Sequence, residues 1–179
     1  VHHISTICCD QFSLSESNMN NDIKHSIENG ELVLFLGAGA SRKCKTHSGD
    51  ELFDGRALAE ELAKRASMDY SDEDLEDVYG AVRDVMGSRL DSVLEELFRH
   101  VSPSDEYSAL AAFAWRRIYT LNIDDGLERA FRSSLQNVCV RLSDDPVEDK
   151  DPFFKRIDII KLNGSVDQLH RGIIFSASE

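Results

Sequence analysis

A glycine turn directly after a run of apolar residues is the first feature of this sequence that predicts chemistry. The apolar run covers residues 32–36, and the turn is Gly37-Ala38-Gly39-Ala40-Ser41. A short continuous apolar run is typical of a strand that is buried on both faces of a parallel sheet. Because the side chains after it are small, the N–H groups of Ala38 to Ser41 can face a phosphate at the start of a following helix. The pattern predicts a dinucleotide-binding strand-turn-helix.

Two later strand ends carry polar residues of the kind that bind a ligand. Thr120-Leu121-Asn122-Ile123-Asp124 closes one short apolar run, and Asn163-Gly164-Ser165 follows another. In open parallel α/β sheets, ligands bind beyond the carboxyl ends of the strands, which favours a functional role for both segments. Each motif alone is a common turn or helix start, so the prediction depends on their order and spacing.

The elements that must position these residues predict an α/β fold. Apolar runs predict strands at residues 32–36, 118–121, 138–142, 157–162 and 172–175. A short helix that ends at Gly30 precedes the first strand, and a helix over residues 127–135 follows the second. The charged segment 143–150 is predicted to be a loop.

A long helical insert, residues 56–115, separates the first two strands. Helical periodicity predicts helices over residues 56–66, 71–85, 90–101 and 104–115. Ser71 is the expected N-cap of the second helix, with Asp74 three residues later as in a capping box. The polar segment 44–55 before the insert is predicted to be a loop that covers a bound ligand. We expect the insert to form a helical layer or subdomain beside the sheet.

Composition excludes several classes of protein. A chain of 179 residues with 41% hydrophobic residues is expected to form one soluble domain with a sizeable core. A net charge of −13 argues against a nucleic-acid-binding surface, and no apolar stretch approaches the ~20 residues of a membrane span. The four cysteines include no C-x-x-C pair, so we expect no structural zinc and a cytoplasmic protein. Residues 1–21 are expected to form a flexible leader.

In order and spacing, the motifs G-A-G-A-S, T-L-N-I-D and K-L-N-G-S resemble the strand ends of the sirtuin superfamily, especially the sirtuin-like domains of bacterial anti-phage defence proteins. The resemblance covers about residues 32–176. It implies a Rossmann-like fold that binds NAD and cleaves its nicotinamide–ribose bond. The zinc module of the protein deacylases has no counterpart here. The resemblance therefore favours an NAD-hydrolysing defence domain over removal of acyl groups from lysine.

The resemblance also implies roles for individual residues. Asn122 would orient water or ribose near the reacting C1′ carbon, and Asp124 would hydrogen-bond ribose or nicotinamide. Asn163 occupies the position of the family's catalytic histidine, and an amide cannot accept a proton near neutral pH. The catalytic set is thus Asn122, Asp124 and Asn163, without a metal. The expected NAD contacts are Gly37, Ala38, Gly39, Ala40, Ser41, Thr120, Asn122, Asp124, Gly164 and Ser165.

Asn163 leaves several interpretations open. The chain is an inactivated form, or an NAD hydrolase that works without this base, or a module that only binds NAD or ADP-ribose. His170 and His47 are candidate substitute bases, although a lone loop histidine is usually just solvated. A purely structural domain, whose glycine turn only permits close packing, is a further alternative. By the resemblance, we expect the chain to be part of a longer, homo-oligomeric protein with a sensor or oligomerisation module.

Overall fold

The computed structural model describes residues 21–147 and 156–175, in which strands and helices follow one another as in an α/β protein. The predicted leader lies outside these residues, except for residue 21. The helices are α1 (Asn21–Glu28), α2 (Gly55–Arg65), α3 (Leu75–Met86), α4 (Arg89–Phe98), α5 (Asp105–Leu110) and α6 (Gly126–Ala130). The strands are β1 (Val33–Leu36), β2 (Arg117–Thr120), β3 (Asn137–Leu142) and β4 (Arg156–Lys161). Segments of 3₁₀ helix cover Ala38–Ser41, Phe131–Ser133 and Val166–Arg171, and the last is interrupted by a kink at Gln168.

The four strands form one parallel sheet in the order β1-β2-β4-β3. Leu36 pairs with Thr120, and Thr120 pairs with Lys161, so β1, β2 and β4 end at the same edge of the sheet. The predicted α/β class is therefore confirmed. Four parallel strands, with helices between β1 and β2 and between β2 and β3, are compatible with a Rossmann-like fold.

Alternate side chains of each strand point to opposite faces of the sheet, and one of these faces packs against helices. Ile118, Ile157 and Ile159 lie on the covered face and are fully buried in the main hydrophobic core. Val33 and Phe35 lie on the other face and are 53% and 59% exposed. The prediction that the first strand is buried on both faces is therefore wrong. The reason is its place at the edge of the sheet, where β2 is its one neighbour among the described strands.

Helices α2 to α5 form the insert between β1 and β2, and three of them are shorter than their periodicity predicts. Helix α4 ends at Phe98, three residues before the predicted end. Helix α3 begins at Leu75 with Asp74, not Ser71, as its N-cap. The Ser71 N–H donates to the Glu73 carboxylate at 2.7 Å, and Asp72 has a positive φ of 73°, which an α-helix does not allow. Residues 71–74 therefore form a bend before the helix.

Helix α5 ends at Leu110, not near Trp115. The Trp115 indole N–H donates to the Leu110 carbonyl at 2.8 Å. The Gln136 side chain holds the Trp115 backbone, accepting from its N–H at 3.0 Å and donating to its carbonyl at 2.8 Å. These contacts hold Trp115 outside the helix.

Two elements predicted after β2 also differ from those in the structure. The helix predicted over 127–135 ends at Ala130 and continues as one 3₁₀ turn. Residues 172–175 do not form the predicted strand, because Gly172 has a φ of +93° and the Ile174 N–H donates to the Asn163 carbonyl. The chain therefore turns back on the end of β4 at this point.

The predicted loop 44–55 is attached to the insert. Lys45 pairs in antiparallel fashion with Ser102, which lies between α4 and α5, and also with Glu51. Cys44 is completely buried in the core. The segment after the glycine turn is thus held against the helices. Among the described residues, no helix has the length and apolar character needed to cross a membrane.

Candidate functional site

The three polar strand ends converge at one edge of the sheet. The Leu121 N–H donates to the Leu36 carbonyl at 3.0 Å, which joins the end of β2 to the end of β1. The Leu162 N–H donates to the Thr120 carbonyl at 2.9 Å, which joins the end of β4 to the end of β2. The structure therefore brings together the residues that sequence motifs singled out at 37–41, 120–124 and 163–165.

The glycine turn is open. Gly37 has φ −75° and ψ 175°, a conformation that any residue adopts. A Cβ added at Gly37 would meet no described atom within 4 Å, and at Gly39 the nearest atom is Arg42 Cδ at 3.9 Å. Ala38 and Gly39 are exposed. Neither the backbone nor the packing of the described residues requires glycine here, which counts against a turn whose glycines serve close packing.

The helix predicted to follow this turn is one 3₁₀ turn, Ala38–Ser41. The next α-helix begins only at Gly55. The strand-turn-helix prediction is therefore wrong in its last part, because residues 44–52 pair with the insert instead of extending the turn. The Ala40 N–H, which was predicted to face a phosphate, donates instead to the Gly37 carbonyl at 3.1 Å. The first donors of the 3₁₀ turn lack an intrahelical acceptor and remain available.

Asp124 joins the glycine turn to the end of β2. Its carboxylate is 3% exposed and accepts the Gly126 N–H at 2.9 Å, and the Ser41 side chain also hydrogen-bonds to it. Burial raises the pKa of Asp124, and the nearby Lys161 opposes this effect. Since Ser41 belongs to the turn, this buried carboxylate fixes the turn relative to β2.

Asn122 is held by residues on both sides. Its backbone N–H donates to Thr120 Oγ1 at 3.1 Å, and its side-chain Nδ2 donates to the Tyr107 hydroxyl at 2.9 Å. Tyr107 comes from α5 of the insert and is fully buried. Burial raises the pKa of Tyr107, so its hydroxyl is protonated and neutral near pH 7. The Asn122 Oδ1 atom accepts no hydrogen bond from the described residues.

Asn163 stands half-buried at the end of β4, and its surroundings fix the backbone. Its carbonyl accepts the Ile174 N–H at 3.0 Å. Gly164 has a φ of +94°, and a Cβ there would lie 2.6 Å from the Gly172 carbonyl oxygen, so only glycine fits. Ser165 is buried, and its hydroxyl accepts the Asp167 N–H at 3.3 Å. Thr120 and Ser165 therefore use their hydroxyls to stabilise local backbone.

A buried ion pair below the site was not predicted from the sequence. Lys161, the last residue of β4, is 1% exposed, and its Nζ lies 2.7 Å from Glu128 Oε1. Nζ also donates to the backbone carbonyls of Ile123, at 3.3 Å, and Asp124. Burial raises the pKa of Glu128, and Lys161 opposes this effect. The available signal was a lysine that ends an apolar strand, since a buried charge requires a partner.

Asp125, the last residue of the polar cluster that follows β2, joins the site to the insert. Its carboxylate accepts the backbone N–H groups of Val101 at 2.8 Å and His100 at 3.0 Å. His100 has a positive φ of 61°, so this connection between α4 and α5 is tightly constrained. No local pattern indicates such a contact, because donor and acceptor lie far apart in the sequence.

The two candidate substitute bases lie in other places. The His47 and His100 rings pack edge to face, with their centroids 6.5 Å apart. Both line a cavity of about 350 Å³ between the loop 44–55 and helices α2 and α4. His170 lines a cavity of about 480 Å³ beside Tyr79 and Leu90. None of the expected NAD contacts lines either cavity. Within the described part of the chain, no group of three or more His, Cys, Asp or Glu residues is arranged to hold a metal ion.

Comparison with known proteins does not identify a family. No protein-family model matches this chain, and no curated protein matches it. The chemistry of the site therefore has to be argued from its residues. These are exposed backbone donors at the glycine turn, the Asn122 and Asn163 amides, and a buried carboxylate that connects them.

Proposed function

We propose that this chain is an NAD-binding, sirtuin-like domain that hydrolyses NAD to nicotinamide and ADP-ribose as an effector of anti-phage defence. The observation that carries the proposal is the open glycine turn beside the ends of β2 and β4. Glycine costs conformational entropy on folding, yet at Gly37 neither the backbone nor the described neighbours need it. A ligand that approaches the backbone closely would explain the two glycines.

A pyrophosphate is the ligand group that suits this turn best. The first N–H groups of a helical turn are unpaired donors, and they favour an anion. Ala38 and Gly39 are exposed residues at the start of such a turn. The Arg42 side chain follows, 67% exposed and with its guanidinium 3.8 Å from the Asp54 carboxylate. An NAD pyrophosphate held here would extend its nicotinamide ribose towards the ends of β2 and β4.

Hydrolysis of NAD does not need a base for the bond that breaks. Nicotinamide leaves with the bonding electron pair as a neutral molecule, and the ribose becomes a cation resembling an oxocarbenium ion. Water then attacks C1′ and releases one proton, so the products are nicotinamide, ADP-ribose and a proton. The Asn122 amide can hold water or a ribose hydroxyl, and the buried Asp124 fixes the glycine turn beside it through Ser41. This chemistry remains available with asparagine at position 163.

A second candidate function is a catalytically silent module that senses NAD or ADP-ribose, and Asn163 favours it. An amide can still exchange hydrogen bonds with ribose hydroxyls, because it carries two donors and an acceptor. It cannot remove a proton from one of them near neutral pH. In such a module, binding survives and turnover does not.

The experiment is a titration of the chain with NAD and with ADP-ribose by calorimetry, followed by analysis of released nicotinamide. Gly37→Ala is the decisive variant, because a methyl group there meets no described atom and should leave the fold stable. We expect it to weaken NAD binding about 10–100-fold through loss of charge-assisted hydrogen bonds. Gly80→Ala is the matched control, since a Cβ also meets nothing within 4 Å there, in α3.

The outcomes separate the candidates. Nicotinamide release supports the hydrolase, whereas binding without release supports the silent module. Asn163→His should raise nicotinamide release if the missing base is what limits turnover. If neither NAD nor ADP-ribose binds, or if Gly37→Ala binds NAD as tightly as Gly80→Ala, the proposal is wrong.

Partner modules remain part of the same proposal. The sirtuin resemblance supports a cytoplasmic protein in which this domain is joined to a sensor or oligomerisation module and assembles as a homo-oligomer. Light scattering on the full-length protein, with and without NAD, tests the assembly. A monomer under both conditions would contradict it.

A further inference from the structure

We propose that Tyr107 of the helical insert is a positioning residue for Asn122, holding its side-chain amide at the end of β2. This inference rests on the proposed function, because it assigns the fixed amide to the NAD site. It extends that function by assigning the insert a part in the site's chemistry.

The contact is direct. The Asn122 Nδ2 atom donates to the Tyr107 hydroxyl at 2.9 Å, and both residues are buried. An amide whose nitrogen is engaged on one side presents its carbonyl oxygen on the other, and Oδ1 has no partner among the described residues. In this arrangement Oδ1 is left as an acceptor for a water molecule or a ribose hydroxyl.

Tyr107 is itself fixed on several sides. The Ser104 hydroxyl caps α5 by accepting the Tyr107 N–H at 3.3 Å. Ser104 also hydrogen-bonds to the buried Cys44 thiol, which follows the glycine turn. The start of α5 thus lies between the segments that follow β1 and β2, and its position sets the position of the hydroxyl.

An amide that is not held would sample other side-chain rotamers. Without the Tyr107 hydroxyl, the Asn122 side chain loses the one side-chain hydrogen bond that it makes to the described residues. In a fraction of molecules, Oδ1 would then lie away from the ligand. Loss of one neutral hydrogen bond corresponds to about a 3–10-fold effect, here on the nicotinamide release rate or on NAD affinity.

A double-mutant cycle tests the coupling in the whole chain. The variants are Tyr107→Phe, which keeps the buried ring, Asn122→Ala, and the two combined. NAD affinity is measured by calorimetry and nicotinamide release by chromatography. We expect Tyr107→Phe to reduce kcat, or affinity in a silent module, about 3–10-fold, and to add nothing in the Asn122→Ala background. Tyr79→Phe, at a half-buried tyrosine of α3, is the matched control and should behave as wild type.

An NMR measurement decides the inference without NAD. The side-chain amide resonances of Asn122, assigned by their loss in Asn122→Ala, should shift in Tyr107→Phe and stay in place in Tyr79→Phe. Unchanged Asn122 resonances in Tyr107→Phe, or additive effects in the cycle, would overturn the inference. Absence of NAD binding by the wild type would instead refute the proposed function, while the amide resonances would still show whether Tyr107 orients Asn122.

Discussion

Lys161→Met tests the buried charges on which the site is built. Lys161 is 1% exposed, lies 2.7 Å from Glu128 Oε1 and donates to the carbonyls of Ile123 and Asp124. Methionine keeps the length of the side chain and most of its volume but has no donor. Glu128 then loses its cationic partner, and both carbonyls lose their donor.

The expected loss of stability is large. Removing one member of a buried ion pair costs about 3–5 kcal/mol, because the remaining charge stays buried. A whole domain is stable by only about 5–15 kcal/mol. For a chain of this size, the melting temperature should fall by roughly 6–20 °C.

The loss should depend on pH in a defined direction. Burial raises the pKa of Glu128 and of Asp124, and Lys161 opposes both shifts. Without Lys161, both folded-state pKa values rise further above the unfolded values. A carboxyl group whose pKa is higher in the folded state stabilises the fold fully at pH values below its unfolded-state pKa. This stabilisation is lost as the pH rises through the folded-state pKa. The variant's deficit should therefore be larger near neutral pH than at about pH 5.

Urea unfolding at both pH values, monitored by circular dichroism, measures how much free energy of unfolding the variant has lost. The control is Lys64→Met on α2, where the lysine side chain is 78% exposed and 3.6 Å from Glu61. That change should alter the free energy of unfolding by less than about 0.5 kcal/mol. A cost below about 1 kcal/mol for Lys161→Met, or a deficit that does not change with pH, would refute the reasoning.

Two other substitutions test how the site is held. Gly164→Ala should lower the free energy of unfolding by about 1–3 kcal/mol, because its φ is +94° and its Cβ would lie 2.6 Å from the Gly172 oxygen. Urea unfolding beside Gly80→Ala checks this, and equal stability would contradict it. Asp125→Ala should cost about 1.5–3 kcal/mol, because the buried Val101 N–H loses its charged acceptor. Hydrogen exchange should then show lost protection at Val101, and unchanged protection would count against this role.

Local sequence pattern predicts the strands of this chain well. Strands were predicted at residues 118–121, 138–142 and 157–162, and each of these bounds lies within one residue of the bounds of β2, β3 and β4. Each is a short apolar run between polar turns, so its signal is local. The errors at α5 and at residues 172–175 have a non-local cause. Trp115 is held by Gln136, and Ile174 is held by the Asn163 carbonyl.

Sequence order and strand direction were enough to bring the three motifs to one edge. In a parallel sheet all carboxyl ends point the same way, so the three motifs are expected at the same edge. That β1, β2 and β4 are neighbours was decided by the strand order β1-β2-β4-β3. The exposure of Val33 and Phe35 was not predictable in this way. It depends on which strand occupies the edge, and the apolar run of β1 is the same for an edge strand as for a central one.

The sequence by itself determined which residue types follow the strands: small residues at Gly37 to Ser41, then Asn122, Asp124 and Asn163. Only the tertiary structure decided which side chains touch. It placed Asp124 against Ser41, Tyr107 against Asn122, and Lys161 against Glu128. The physical reason is that a hydrogen bond or a buried ion pair requires two groups within about 3 Å of each other. Segments far apart in the chain reach that distance only when helices pack on the sheet.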